Sequence, residues 1–265
     1  MKKTNLVLGF MLIMLLALNT GLMAQTATQP ASGDGSSGTP YQIVTLNNLY
    51  WITQSTSRWS LHYIQTANID ASTTSGWDGG AGFSPIGNNS TKFTGSYDGD
   101  GKTIDNLYIN RSGTNYIGLF GYTNGSTISN LGVTNVDITG NDNVGGLVGF
   151  DDNNSEVNNS YSTGSVTGSG NYVGGLVGYN YDNSTVSNSY STGSVTGSGI
   201  IVGGLVGRNS SSTISNSYST GSVSGSTYVG GLVGYNDNST VSNSFWDTQT
   251  SGQGSSAGGT GKTTA

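Results

Sequence analysis

The chain has no cysteine, three prolines and one histidine in 265 residues, and its lysines and arginines together number eight. Each shortage removes a class of explanation. Without cysteine there is no disulfide bracing and no lipid-modified cysteine anchor. With a formal charge of −6 and so few cations, the chain lacks the basic footprint that nucleic acid requires. His62 is isolated and Glu156 is the only glutamate, so acid–base chemistry has few groups to draw on. Beyond the first 24 residues, no run is apolar and long enough to span a membrane.

Glycine is plentiful, at 44 residues, and Ser, Thr and Asn fill most of the rest. Such a composition can describe a disordered linker, but regularly spaced apolar residues argue for a fold. Residues 1–24 read as an export signal, with Lys2 and Lys3 at the start, an apolar run from Leu6 to Leu18, and Ala24 at a cleavage position. A membrane anchor is the alternative for that run. Export places the mature chain outside the cell or on its surface. Residues 25–40 are expected to be a flexible leader.

From Leu119 onward the apolar positions keep a count: Leu119, Ile128, Ile138, Leu147, Val157, Val166, Leu176, Val186, Val195, Leu205, Ile214, Val223, Leu232 and Val241. Every step is nine or ten residues, and the leucines recur after 28, 29, 29 and 27 residues. A fixed period of this length marks a solenoid. Helical three-and-four spacing is missing, and Gly with β-branched residues dominates. Each beat reads as a short strand closed by a Gly, Asn, Asp or Ser turn. The expected fold is all-β: a right-handed parallel β-solenoid with three short strands per coil of about 28 residues. Like residues then stack about 4.8 Å apart.

Stacking sets up columns. Asn130, Asn159, Asn188, Asn216 and Asn243 are expected to form an amide ladder. Tyr161, Tyr190, Tyr218 and Phe245 form an aromatic column, read as structural stacking or as a ligand platform. Tyr122, Phe150, Tyr179 and Tyr235, interrupted by Arg208, form another row. If it points outward, sugars could stack on it; if it sits at corners, it only covers neighbouring coils. The glycines around Leu176 (Gly174, Gly175 and Gly178) are expected where backbones crowd.

The segment 41–92 carries Trp51, Trp59, Trp77 and Phe83, which suits an N-terminal cap, with a helix over Leu46–Thr56 and a strand over His62–Asp70. Repeats are expected from 93 to 250. Residues 251–265 read as a Gly/Ser tail that leaves the last coil open, as in a fragment of a longer protein.

The phrases VGGLVGYN, FTGSYDGDGKTIDNLYINRSGTNYIGLFG and SYSTGSVTGSG together resemble the GLUG-motif repeats of bacterial surface proteins. The resemblance covers about Phe93 to Thr250. It implies a secreted or surface-attached β-solenoid of adhesin type, a fold also found beside peptidase domains, and it brings no catalytic motif. The expected partners are therefore glycans or cell-surface proteins.

Three further motifs are weighed. Asp98, Asp100 and Asp105 in DGDGKTIDN suggest calcium, but Lys102 and Ile109 stand where an EF-hand loop needs oxygen ligands, and Asp-Gly turns explain the same residues. No other cofactor is expected. The same carboxylates with Lys92, Lys102 and Arg111 are the only mixed-charge cluster, and the one place for a carbohydrate-cleaving alternative. SAGGTGKTT, from Ser256, misses the phosphate-loop pattern by its first glycine, so no nucleotide is expected.

Overall fold

The computed structural model describes residues 25–264; the export-signal segment lies outside the described residues. The chain winds as a parallel β-solenoid of about five turns. All pairs between named strands are parallel, and within the repeats they join residues one repeat apart, as in Val157 opposite Ile128 and Val186. The leucine of each coil (Leu119, Leu147, Leu176, Leu205 and Leu232) is completely buried, and so are Ile128, Val157, Val186 and Ile214. These residues form strands because each presents one β-branched or apolar residue inward, and the polar turn that follows ends the run.

The phrase VGGLVGYN divides the first beat into two strands, for example Val173–Gly174 and Val177–Tyr181, hinged at Gly175–Leu176. The coil therefore has four ladders, of eight, four, five and eleven strands. The glycines serve close approach. A Cβ on Gly174 would lie 2.0 Å from the Val177 carbonyl oxygen, and one on Gly175 would lie 2.2 Å from Ser191 Oγ.

The asparagine column has a different basis from an amide ladder. Asn130, Asn159, Asn188, Asn216 and Asn243 all hold positive φ, between 47° and 54°. They turn the corner into the eleven-stranded sheet in the left-handed region that Asn tolerates better than most residues. Their amides bond only in part: Asn159 Nδ2 donates to Asn130 Oδ1 at 3.2 Å, and Asn243 Nδ2 to Asn216 Oδ1 at 3.4 Å. Asn188 Nδ2 donates instead to Asn158 Oδ1. Asn188→Ala is expected to cost about 1 kcal/mol in a denaturant titration and Asn188→Gly much less, because the requirement is conformational.

Serine supplies the regular side-chain ladder. The backbone N–H groups of Leu131, Ser160, Ser189 and Ser217 donate to the hydroxyls of Ser160, Ser189, Ser217 and Ser244 at 3.1–3.2 Å. All four hydroxyls in turn donate to the carbonyl two residues before them, Ser189 Oγ to Ser187 O at 2.7 Å, for example. Corner backbone groups that would otherwise be orphaned are thereby paired between coils.

A second polar column runs through the interior. Asn180 Nδ2 donates to Asn209 Oδ1, and Asn209 Nδ2 to Asn236 Oδ1, both at 2.8 Å. One coil earlier the position is Asp151, fully buried, which accepts from Thr123 Oγ1 at 2.5 Å. Asp151 Oδ2 and Asn180 Oδ1, on neighbouring rungs, have no hydrogen-bond partner. Burial pushes the Asp151 carboxyl up to about 7.

Both ends differ from expectation. Residues 25–40 are not a loose leader: Gln42 N–H donates to Ser32 O at 3.0 Å and His62 N–H to Gly35 O at 3.0 Å. Tyr41–Ile43 and His62–Gln65 are rungs of the eight-stranded sheet, continuous with Ser96–Asp98, so the sheet begins well before Phe93. The cap helix runs Leu46–Thr53, started by a capping box between Thr45 and Asn48, and it buries Leu49 and Ile52 against the coils. The strand expected over His62–Asp70 is broken into His62–Gln65 and Ile69–Asp70.

At the other end, residues 251–262 cover the last coil. Ala257 N–H donates to Val233 O at 3.0 Å, and Thr260–Lys262 pairs with Phe245–Asp247. Trp246 stands where earlier coils carry Ser191 and Ser219, and its bulk plugs the interior. The cover is partial: the eight-, four- and five-stranded ladders still end on the edges of Thr240–Ser242, Tyr228–Gly230 and Val233–Asp237.

Candidate binding face

The five-stranded sheet, Phe120–Asn124 to Val233–Asp237, brings Tyr122, Phe150, Tyr179, Arg208 and Tyr235 into direct register. Alternation places the residue after each of them inward, as with Asp151 and Asn180, and turns the row itself toward the surface, where Phe150, Tyr179, Arg208 and Tyr235 are half-buried and Tyr122 is covered by its neighbours. Tyr122 and Phe150 meet at a centroid distance of 4.6 Å and Phe150 and Tyr179 at 4.8 Å. Arg208 continues the row as a cation: its Cζ lies 5.1 Å from the Tyr179 ring and 5.5 Å from the Tyr172 and Tyr235 rings. Its Nη1 donates to Tyr172 OH at 3.3 Å, and its Nη2 stands 3.8 Å from Asp237 Oδ2.

Tyrosines that the spacing argument missed widen the row into a face. Tyr116 packs 5.2 Å from Tyr122, Tyr172 packs 5.1 Å from Tyr179, and Tyr228 packs 5.4 Å from Tyr235. Tyr181 adds a ring 5.4 Å from Tyr179. Tyr181 and Tyr228 are 39% and 49% exposed, so the face is open at its margins, while the row from Phe150 to Tyr235 is half-buried and Tyr122 is buried. Tyr116 and Tyr172 hold φ of 63° and 64°, a left-handed conformation that disfavours a bulky side chain. The coil between them places Asn143 there at 56°. A signal was present in the sequence: a Tyr or Asn stands directly before the apolar residue of four of the five GLVG-type phrases, with Ile201 the exception.

Polarity on this face is sparse. Tyr122 OH donates to Asp152 Oδ2 at 2.9 Å, and burial followed by this bond raises the phenol far above its ordinary range. Burial also raises Tyr179. Both rings therefore remain neutral hydrogen-bonding groups at any physiological pH. Lys92 Nζ lies 5.0 Å from the Tyr122 ring centroid.

The charged residues near Asp98 do not converge. Asp98 Oδ1 accepts from Asp100 N–H and Asn130 Nδ2, both at 2.9 Å. Asp100 pairs with Lys102 at 3.3 Å, while Asp105 turns to Thr134 Oγ1 and Asn135 Nδ2. Arg111 reaches away to Asp78 at 2.7 Å. Among the described residues, no three His, Cys, Asp or Glu side chains gather into a metal-holding group. Gly261 and Lys262 lie in the strand Thr260–Lys262, so the near phosphate-loop sequence forms no loop at a helix N-terminus.

Comparisons with known proteins place these features among relatives. Residues 169–196, 198–224 and 225–245 match the family model described as the GLUG motif, so the chain carries GLUG repeats. Over 142 residues it is 44% identical to halomucin of Haloquadratum walsbyi, covering 52% of this chain and 2% of that protein. Over 111 residues it is 36% identical to a protein of Evansella cellulosilytica named as a candidate Gly-rich membrane protein, covering 41% of this chain and 12% of the relative. The chain thus spans a small part of either relative's length. A solved Bacteroides ovatus structure, described as a candidate immunoglobulin A1 protease, superposes with a TM-score of 0.60 at 20% identity. That likeness covers 88% of this chain and 87% of the other, and it concerns the fold.

Proposed function

We propose that this chain is a non-catalytic repeat module of an exported or cell-surface protein, and that it adheres to glycans through the face centred on Phe150 and Tyr179. The observation that carries the reading is the partly exposed aromatic face, held on a parallel sheet with Arg208 built into it. Contiguous exposed apolar surface of this kind marks interaction sites. Aromatic rings with few charges suit the apolar C–H faces of sugars, and the Tyr and Arg groups add hydrogen bonds. The dispersal of the charged residues near Asp98 leaves no paired carboxylates poised for glycoside cleavage. Halomucin and the membrane-named relative support an envelope setting, and the export-type N-terminus agrees with it.

A glycan array tests the proposal. Wild-type protein is expected to retain a defined set of glycans, and Tyr179→Ser to weaken that retention about tenfold, the loss of roughly 1.4 kcal/mol of ring contact. Failure to bind any glycan, or a Tyr179→Ser variant that binds as wild type does, would overturn it.

A further inference from the structure

The eleven-stranded sheet carries its own aromatic column on another side of the coil. Tyr161 and Tyr190 stack at 4.7 Å with an interplanar angle of 5°, and Tyr190 and Tyr218 at 4.8 Å with 6°. Phe245 is paired with Tyr218 in backbone register, yet it belongs to no ring stack with it. Instead Lys262 Nζ lies 5.3 Å from the Phe245 centroid. The column therefore ends with the last-coil side of Tyr218 unstacked. A cleft of about 430 Å³ opens there, with Tyr218, Thr220, Phe245, Asp247, Lys262 and Thr264 on its walls. Tyr218 is 40% exposed and Phe245 39%.

We propose that this cleft is a carbohydrate subsite that receives one neutral pyranose unit, its C–H face against Tyr218 and Phe245 and its hydroxyls toward Asp247, Lys262 and Thr220. Three features select that chemistry. First, a sugar's C–H groups carry partial positive charge and pack on the negative face of an aromatic ring, and the Tyr218 stack leaves such a face free. Second, the rim mixes donors and acceptors: Lys262 only donates, ionised Asp247 only accepts, and the Thr hydroxyls do both. Sugar hydroxyls, which donate and accept, match that mixture, whereas a purely apolar ligand would strand it. Third, one cation and one anion leave the cleft without net charge, which favours a neutral ligand over a charged one. The volume lies in the lower part of the range for small-ligand sites.

The rim is also held in place before any ligand arrives. Asp247 Oδ1 accepts from the N–H groups of Gln249 and Thr250 at 2.8 and 3.1 Å, and Oδ2 accepts from Thr264 Oγ1 at 2.6 Å. Those bonds, the Thr264 hydroxyl first, hold its carboxyl below the usual range. A carboxylate has about four acceptor positions, so one remains for a hydroxyl of the ligand. Lys262 is fixed by the strand pairing of Thr260–Lys262 with Phe245–Asp247 and by Thr248 N–H donating to its carbonyl at 2.8 Å.

This site goes beyond the aromatic face described above, and the experiment separates the two. Maltotriose, cellotriose and chitotriose are titrated into the full chain while the ring and Nζ resonances of Tyr218, Phe245 and Lys262 are followed by NMR. At least one trisaccharide is expected to shift these signals saturably. Tyr218→Ala is expected to weaken that binding about tenfold and Lys262→Met several-fold, while Tyr179→Ser leaves it unchanged. Lys262→Met touches no interior contact, so its effect stands even if Tyr218→Ala loses stability. The proposal is overturned if none of the three sugars perturbs the cleft, if both cleft variants bind as wild type does, or if only Tyr179→Ser abolishes binding.

Discussion

Asp151→Asn is expected to stabilise the protein by on the order of 4 kcal/mol at pH 8 and to leave it nearly unchanged at pH 4. Asp151 is fully buried, with the interior pushing its carboxyl up to about 7 from an ordinary 3.8. Between those values the folded chain retains a proton that the unfolded chain releases, so wild-type stability falls as pH rises through that window. Below it both states are protonated and nothing is lost; above it both are ionised and the deficit is constant. Burial is the first cause of the shift, with Asp152 and Glu156 adding repulsion against the bond from Thr123. The proton has a structural place as well. Asp151 Oδ2 and Asn180 Oδ1 are both unpaired on neighbouring rungs, and a proton on the first is expected to serve the second as its missing donor. An asparagine at 151 supplies that donor at every pH, as Asn180 does for Asn209 at 2.8 Å. Urea titrations of both proteins at pH 4, 6 and 8 measure the difference. Equal pH dependence in the two would show that residue 151 carries no such proton.

Gly174→Ala is expected to cost about 3 kcal/mol or more, against less than about 0.5 kcal/mol for Gly113→Ala. The new methyl at 174 would lie 2.0 Å from Val177 O, 2.7 Å from Gly207 N and 2.9 Å from Leu205 O, all backbone atoms. None of these is the end of a flexible side chain, so relief requires the coil or its neighbour to move. Gly113 has no atom within 4 Å of its would-be Cβ and serves as the control. Equivalent glycines repeat the contact: 2.2 Å at Gly145, 2.0 Å at Gly203 and 1.9 Å at Gly230, each to the carbonyl three residues on. Thermal midpoints of the two variants decide the matter; similar midpoints would mean that the GLVG bend has room to spare.

The glycine result shows what a repeating sequence reveals. Leucines recurring at a near-constant interval announced the coil, and the crowding of the glycines followed from their fixed place beside those leucines. The aromatic row was visible for the same reason, since Tyr122, Phe150, Tyr179 and Tyr235 share one offset. Its breadth was harder to see, because Tyr116 and Tyr172 alternate with Asn143 and sit in a backbone state that tyrosine seldom takes. Asn188 illustrates a deeper ambiguity. Asparagine serves an amide ladder and a left-handed corner equally well, and only backbone geometry separates the two. The true interior ladder, Asn180 to Asn209 to Asn236, was hidden by polarity: a polar residue between Tyr179 and Tyr181 reads as surface until alternation is followed across the strand. The closing segment escaped notice because glycine and serine cover a coil with backbone hydrogen bonds, and these leave no apolar signature.

The regularity of the ladders has a mechanical side. The chain runs around the axis while its inter-coil bonds run along it, so tension on the two ends loads the coils in series and is expected to peel first the outermost coil, which has a neighbour on one side only. Each coil occupies about 4.8 Å of the axis. Once peeled, its roughly 28 residues release on the order of 90 Å of slack. A tether built this way yields in steps under shear, lengthening many-fold while the coils not yet peeled keep their aromatic faces intact.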